Sequence, residues 1–493
     1  MNAVQESYES LPYPHCVHPL SHPARLAAIG ALLGFAAIPP SQARILDIGC
    51  GSASSLLAMA ARLPQSQLMG IDFSTPDIFS AQALAREAGL TNVSFQQADL
   101  LTWNPAGAKF DYIIAYGVFS WVADEVKDRL LALISECLAP QGIACVSYAT
   151  YPGCKQSEAL RDLLKLRTDS LVSPAEKVAT AHQTLDFLDR AWQRLPKFPH
   201  ATHLREEVGR IRRKQPHFLL LDDLGVERDP CYLLQFTNWA AEHGLRYLAE
   251  SELHTMLLEN LPPQSAQELA DMELDHLETE QMIDYITNRT FRCSLLVKTE
   301  VSWQAKLDAQ PLRQLCLRSL LQPAERINSG AQKGAFESEQ GAKFTLQGVA
   351  LVEFVQALSS QPTACLPFRD VVSKVQKTLG KTLDETEEKQ LAENLLDLVA
   401  KRQIEIGALA FTPPSTIPEY PSLTPLNLAM CRHRGNLVDA HHRAIQLAEE
   451  EIAFCLELDG SKSFSGLSLD QDRQKTGYHP LLATLSRLGC LAV

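Results

Sequence analysis

The residues whose spacing carries chemistry open with Asp47-Ile48-Gly49-Cys50-Gly51-Ser52-Ala53, a carboxylate followed by two glycines one residue apart. Glycine at 49 and 51 lets a chain turn tightly and lets a ligand approach its backbone. Asp72 stands 25 residues after Asp47, a spacing that suits a carboxylate accepting hydrogen bonds from the two hydroxyls of a ribose. Asp99 and Tyr116 come next, each just past a short apolar run. Taken together, the set describes a pocket for a ligand with a nucleoside end.

Such a pocket needs elements that bring distant residues to one edge. The apolar pattern predicts strands at 45–48, 68–71, 93–95, 110–115 and 143–148, with helices at 55–63 and 125–138 between them. Strands alternating with helices give a mainly parallel sheet, whose ligands bind outside the carboxyl ends of the strands. Asp72, Asp99 and Tyr116 all fall at those ends. The expected class is therefore α/β, with a Rossmann-like first domain.

Two ligands compete for it. A dinucleotide fingerprint wants GxGxxG, and the third glycine position here is Ser54. S-adenosylmethionine has no pyrophosphate and carries a sulfonium and an amino-acid tail. Asp47 is compatible with that tail's ammonium, and equally with hydrogen bonding to the glycine loop itself. The residues favour the methyl donor over nicotinamide.

The arrangement of Asp47, Gly49, Gly51, Asp72, Asp99 and the fourth strand end resembles the class I S-adenosylmethionine-dependent methyltransferases. The strings from Tyr8 to Pro14, His22 to Leu26, Phe110 to Val122, Val146 to Gly153, His243 to Glu250 and Asn288 to Arg292 resemble a narrower group. That group is the bacterial methyltransferases with a regulatory domain, related to the rickettsial protein lysine methyltransferases. The resemblance thins after about residue 300. It implies that Asp47, Gly49 and Gly51 lie under the methionine moiety, that Asp72 takes the ribose, and that Asp99 takes the adenine amino group. It also implies a protein lysine as acceptor, with a small molecule or glycan-linked acceptor, or a non-catalytic donor-binding scaffold, as alternatives. Three positions depart from the family pattern. Glycine is usual where Ala53 stands, histidine where Tyr116 stands, and an aromatic residue where Cys154 stands; Ala53 is tolerated if its backbone angles are ordinary.

Methyl transfer is an in-line displacement, so alignment, desolvation and a neutral nucleophile carry it. A lysine of pKa about 10.4 must lose a proton first, which an apolar, aromatic-lined pocket favours. Tyr13, Tyr116 and Trp121 are the candidate catalytic residues, with Tyr148 and Tyr151 behind them. His15, His18 and His22 lie in a proline-punctuated arm expected to cover the pocket with Tyr13 and Pro14. No acidic or Cys cluster completes them as ligands, so no metal is expected.

Composition limits the rest. A chain of 493 residues holds several cores, and its net charge of −13 argues against a general phosphate-backbone binder. The apolar stretch from Ala27 to Pro39 is too short to span a membrane, and Glu6, Glu9, Pro12 and Pro14 break any signal segment, so a cytoplasmic location is expected. The 12 cysteines form no CxxC pair and read as reduced, buried thiols. The expected domains are 1–153 for donor binding, 154–302 as a mainly helical middle or regulatory domain, 303–411 as a winged-helix-like domain, and 412–493 as an extended linker and helical region. In the middle domain helical runs are expected without a clean series of strands. Arg210, Arg212, Arg213 and Lys214 read as a solvated face. The winged-helix-like part, with helices at 350–358, 368–378 and 386–401, offers only Arg369, Lys374 and Lys377 on its middle helix. Protein contact or a homodimer is therefore favoured over nucleic acid. A helical run is expected at 438–456, and His433, His441 and His442 read as solvent-exposed groups or as a substrate or domain contact.

Overall fold

A computed structural model of the chain describes residues 15–195, 199–304, 306–467 and 480–492. Its centre is a seven-stranded sheet in the order β3-β2-β1-β4-β5-β7-β6. β1 is Arg44–Ile48, β2 Gln67–Asp72, β3 Val93–Gln97, β4 Phe110–Ala115 and β5 Leu138–Ala149. These five run parallel, and β6 (Leu245–Glu250) and β7 (Phe291–Lys298) add antiparallel strands beyond β5.

Every residue of β4 is buried, as expected of a parallel strand covered on both faces. Alternation sorts neighbours to opposite faces: Ile45, Tyr112 and Ile114 join one core, and Leu46, Ile113 and Ala115 the other. The Ser54–Arg62 and Thr75–Glu87 helices cross between the first strands. The second is started by Ser74, whose hydroxyl accepts from the Asp77 amide, with proline in its first turn.

Between 155 and 300 the expected helical runs are joined by two strands that the sequence pattern did not resolve, β6 and β7, which complete the sheet. Between β5 and β6 the helices Cys154–Thr168, Pro174–Gln193 and Pro199–Arg212 form a lobe with its own small core around Leu164, Leu185 and Ile211. The basic stretch there is tied internally: Arg210 pairs with Glu207, Arg212 with Asp186, and Lys214 with Asp223.

After β7 the chain builds helices Val349–Ser359, Phe368–Leu379 and Glu385–Ala400 beside two small sheets. One is β11-β10-β9, from Lys343–Gln347, Lys333–Ser338 and Leu321–Pro323. The other is β12-β8-β13, from Leu366–Pro367, Cys316–Ser319 and Ile404–Gly407. The sequence pattern missed most of these short strands. Leu317, Phe354, Val371 and Ile404 belong to the same core as Leu26, Ile29 and Ile45, so this part packs continuously onto one face of the large sheet.

The last part is also corrected. Where a helical run was expected at 438–456, the chain forms a hairpin of β14 (Asn436–Val438) and β15 (Ala444–Gln446), and helix only at Glu449–Leu456. The cause is Asp439, whose side chain accepts from the amides of His441 and Arg443 and closes a turn that periodicity does not register. The Pro425–Arg434 helix precedes the hairpin. All 12 cysteines are free. No helix among the described residues is long and apolar enough to cross a membrane.

Candidate active site

β1, β2 and β4 end side by side, with Asp47 level with Gly70 on one side and Ile114 on the other. The loops leaving these strands therefore open on one space, a cavity of about 730 Å³. That lies within the ~300–1,000 Å³ range of small-molecule sites. Gly49, Gly51, Asp72, Asp99, Tyr116 and Trp121 all line it.

The loop after β1 is glycine-dependent for two different reasons. Gly49 has φ +73°, and a Cβ there would lie 2.4 Å from Val118 Cγ2. Gly51 has φ +51° and nothing within 4 Å of the missing Cβ, which leaves its cavity face open. The amides of Gly49 and Cys50 donate to the Ile71 carbonyl at 2.8 and 3.1 Å, and that of Gly51 donates to Asp72 Oδ2 at 2.7 Å. These three amides hold the loop to β2. Asp72 also accepts from the Ser74 amide at 2.8 Å, yet each of its oxygens keeps a second lone pair for a ligand hydroxyl. Burial pushes its pKa up, while the amides of Ser74 and Gly51 hold it down.

Asp47 does not line the cavity. It is buried at the end of β1, and burial, then the charge of Asp72, pushes its pKa up to about 8. Asp99 stays at the rim, accepting from the Leu101 amide at 3.0 Å. Ala53 departs from what its tolerance required: its angles are φ 60°, ψ 28°, in the left-handed region, and it is buried.

Tyr116 stacks on His18 with ring centroids 3.9 Å apart and leans on Phe291 at 5.8 Å. Burial raises the Tyr116 pKa, so the phenol stays protonated, and lowers that of His18 to about 4, so the imidazole is neutral. Trp121 ends the Phe119–Trp121 turn on the same wall. Tyr13 lies outside the described residues. Tyr148 is placed differently from expectation, stacked on Phe236 in the core with its hydroxyl on Ser294 Oγ at 3.0 Å. Tyr151 sits away from the cavity against Tyr232.

Sequence reasoning missed Cys16, Phe291, Asp222 and Glu227 as lining residues, and placed His18 only in the arm. Phe291 lies within the family-like string from Asn288 to Arg292; nothing local marked the two carboxylates. They come from a π-helical turn, Leu219–Asp223, and the loop after it. Lys214 pairs with Asp223 at 2.5 Å and Asp222 at 3.6 Å, Arg161 donates to the Gly225 carbonyl at 2.6 Å, and Lys127 pairs with Asp229. Fixed this way, the segment brings two acidic side chains to a cavity whose other wall is aromatic.

The cavity suits the methyl donor: a glycine loop with an open face, a carboxylate at the β2 tip, and apolar and acidic residues at Ala98–Asp99 lie around one space. Two known families match the chain, one described as "Methyltransferase domain" over residues 45–142 and one as "Predicted methyltransferase regulatory domain" over 215–298. An uncharacterized protein of Rickettsia prowazekii is 27% identical over 406 residues, covering 81% of this chain and 73% of that one. A second uncharacterized protein of the same organism is 32% identical over 242 residues, covering 49% of this chain and 96% of that one. Among solved structures, PKMT2 from Rickettsia typhi superposes with a TM-score of 0.85 at 25% identity, over 97% of this chain and 99% of that chain. The same protein in complex with AdoHcy gives 0.86 at 24% identity, over 97% and 100%. The chain thus belongs to the class I S-adenosylmethionine-dependent methyltransferases that carry a methyltransferase regulatory domain.

Proposed function

We propose that this methyltransferase acts on the ε-amine of lysine side chains in a protein. The observation that carries the reading is the composition of one cavity: a donor loop, an aromatic wall of Tyr116, Trp121 and Phe291, and the carboxylates of Asp222 and Glu227. The rim is open, with Phe73 at 40%, Leu101 at 41% and Val226 at 51% exposure, which suits a side chain arriving on a large partner. The Rickettsia typhi relative is named a PKMT, and its structure with AdoHcy supports the same donor site.

Asp72 would hold the ribose, Asp99 the adenine amino group, and the Gly49–Gly51 loop the methionine end, with Asp47 behind it. The bound donor supplies an electrophilic methyl group on a sulfonium. Asp222 and Glu227 attract the cationic lysine to the cavity. The aromatic wall then disfavours the ammonium, whose proton passes to solvent water at the open rim, so that the neutral amine is presented. The Tyr116 oxygen accepts an amine hydrogen and turns the nitrogen lone pair toward the methyl group.

For residues 303–411 we propose a winged-helix arrangement, supported by three helices beside the β12-β8-β13 sheet. With only Arg369, Lys374 and Lys377 on its middle helix, contact with protein is favoured over nucleic acid.

Incubating the protein with labelled donor and a cell lysate tests the acceptor. Label in acid-stable methyl-lysine supports the reading; label confined to metabolites or lipids overturns it.

A further inference from the structure

The donor loop is gripped from outside the sheet domain. Arg434, the last residue of the Pro425–Arg434 helix, donates to Ser54 Oγ and, at 2.8 Å, to the Ser52 carbonyl. Both serines line the cavity. Around them, His15 Nδ1 lies 2.7 Å from Ser52 Oγ, Asn436 Nδ2 donates to the His15 carbonyl at 3.3 Å, and His442 Nε2 lies 2.8 Å from Ser55 Oγ.

The charge balance at this contact is incomplete. Arg434 is half-buried, and both of its hydrogen bonds go to neutral acceptors. Burial lowers its pKa to about 10 while Asp77, a cavity-lining residue, raises it through space, so the guanidinium stays charged at neutral pH. No carboxylate among the described residues pairs with it within ion-pair distance. A cation even partly withdrawn from water without a counter-charge is costly. It lies where the Ser54–Arg62 helix begins without any side-chain cap, and that helix end adds positive potential of its own. An anion at this end of the cavity would balance both.

We propose that Arg434, contributed by the C-terminal unit and set behind the cavity lining, is a positioning residue of the donor site: it fixes Ser52 and Ser54, and its charge, acting through them, favours the donor's anionic tail carboxylate. This rests on the reading that the cavity holds the methyl donor. It makes donor binding depend on residues far along the chain from the glycine loop.

Calorimetry on the full chain with two probes tests it. S-adenosylhomocysteine carries the amino-acid tail, and 5′-methylthioadenosine has the same adenosine thioether without it. Arg434→Met should weaken the first by about tenfold or more, the scale of one charge-assisted interaction, and the second by less than about twofold. Arg434→Lys should recover part of the loss. Glu87→Gln, which loosens the same interface through Arg432 and His433 without touching the loop, should leave both affinities unchanged. Arg434→Gln keeps an NH donor without the charge and carries the comparison if the methionine variant does not fold. Equal loss for both probes, or no loss for either, overturns the proposal. Wild-type protein that binds neither probe overturns the donor reading itself, a separate result from any Arg434 effect.

Discussion

Asp72 joins two tasks in one side chain, because the carboxylate that would face the ribose also holds the Gly51 amide. Asp72→Ala should therefore weaken donor binding by about tenfold or more, losing both a ligand contact and the loop's anchor; unchanged affinity by calorimetry rejects the assignment. Ala53 gives a test of opposite sign. A left-handed conformation costs an L-residue about 1–2 kcal/mol, and glycine removes that while adding about 0.5–1 kcal/mol of chain entropy. Ala53→Gly should change stability by between nothing and about 1.5 kcal/mol in the favourable direction on urea unfolding. The glycines, Asp72, Asp99, Tyr116 and Trp121 were legible in the sequence because each lies past a strand end, where a parallel sheet puts its ligands. Asp222, Glu227 and Arg434 were not legible, since their place is set by tertiary packing and not by any local pattern.

Among the elements, β6 and β7 escaped the sequence reading for a physical reason. Charged residues interrupt their apolar pattern, and two of them are buried: Arg292 on β7 pairs with Glu250 on β6 at 2.8 Å, and with Asp284 and Glu280 of the His276–Thr287 helix at 2.9 and 3.3 Å. All four side chains are at most 3% exposed. A pattern scan counts such residues as surface; the fold uses them to tie two strands and a helix together. Arg292→Met should cost about 3–5 kcal/mol on denaturant unfolding, because it removes the cation shared by three buried carboxylates and leaves only the Arg289 cation for Glu250 and Asp284, and the Tyr247 hydroxyl for Glu280. Phe291, the adjacent residue, lines the cavity, so the same variant should also disturb Tyr116. By contrast β1 to β5 were readable as apolar runs closed by turn residues, and only their ends moved.

Across the whole molecule, the C-terminal unit meets the sheet domain through histidines that folding keeps neutral. His15, His18 and His22 have pKa values lowered to about 4, each chiefly by burial, and His442 is lowered further by burial and by His22 and His18. An unfolded histidine takes up a proton near pH 6.5, whereas these do so only near 4. The stability they support is therefore present above about pH 6.5 and is lost as pH falls toward 4. Asp47 and Glu280, raised to about 8 and about 7 mainly by burial, act the opposite way. A difference measurement separates them. The double variant His22→Asn, His442→Gln should lose less melting temperature between pH 7 and pH 5 than the wild type; an equal drop rejects the histidine account.

The position of β7 between β5 and β6 has a consequence for synthesis. β5 ends at Ala149, but its outer partner is Phe291–Lys298, so the ribosome must make the entire helical lobe before that rim is capped. At usual elongation rates the nascent chain would carry a bare apolar strand for about 7–30 s. A bare rim of that kind is the template on which neighbouring chains pair. Truncation near residue 153 would make that interval permanent, and the released fragment should aggregate even though the glycine loop, Asp72, Asp99 and Tyr116 are all present.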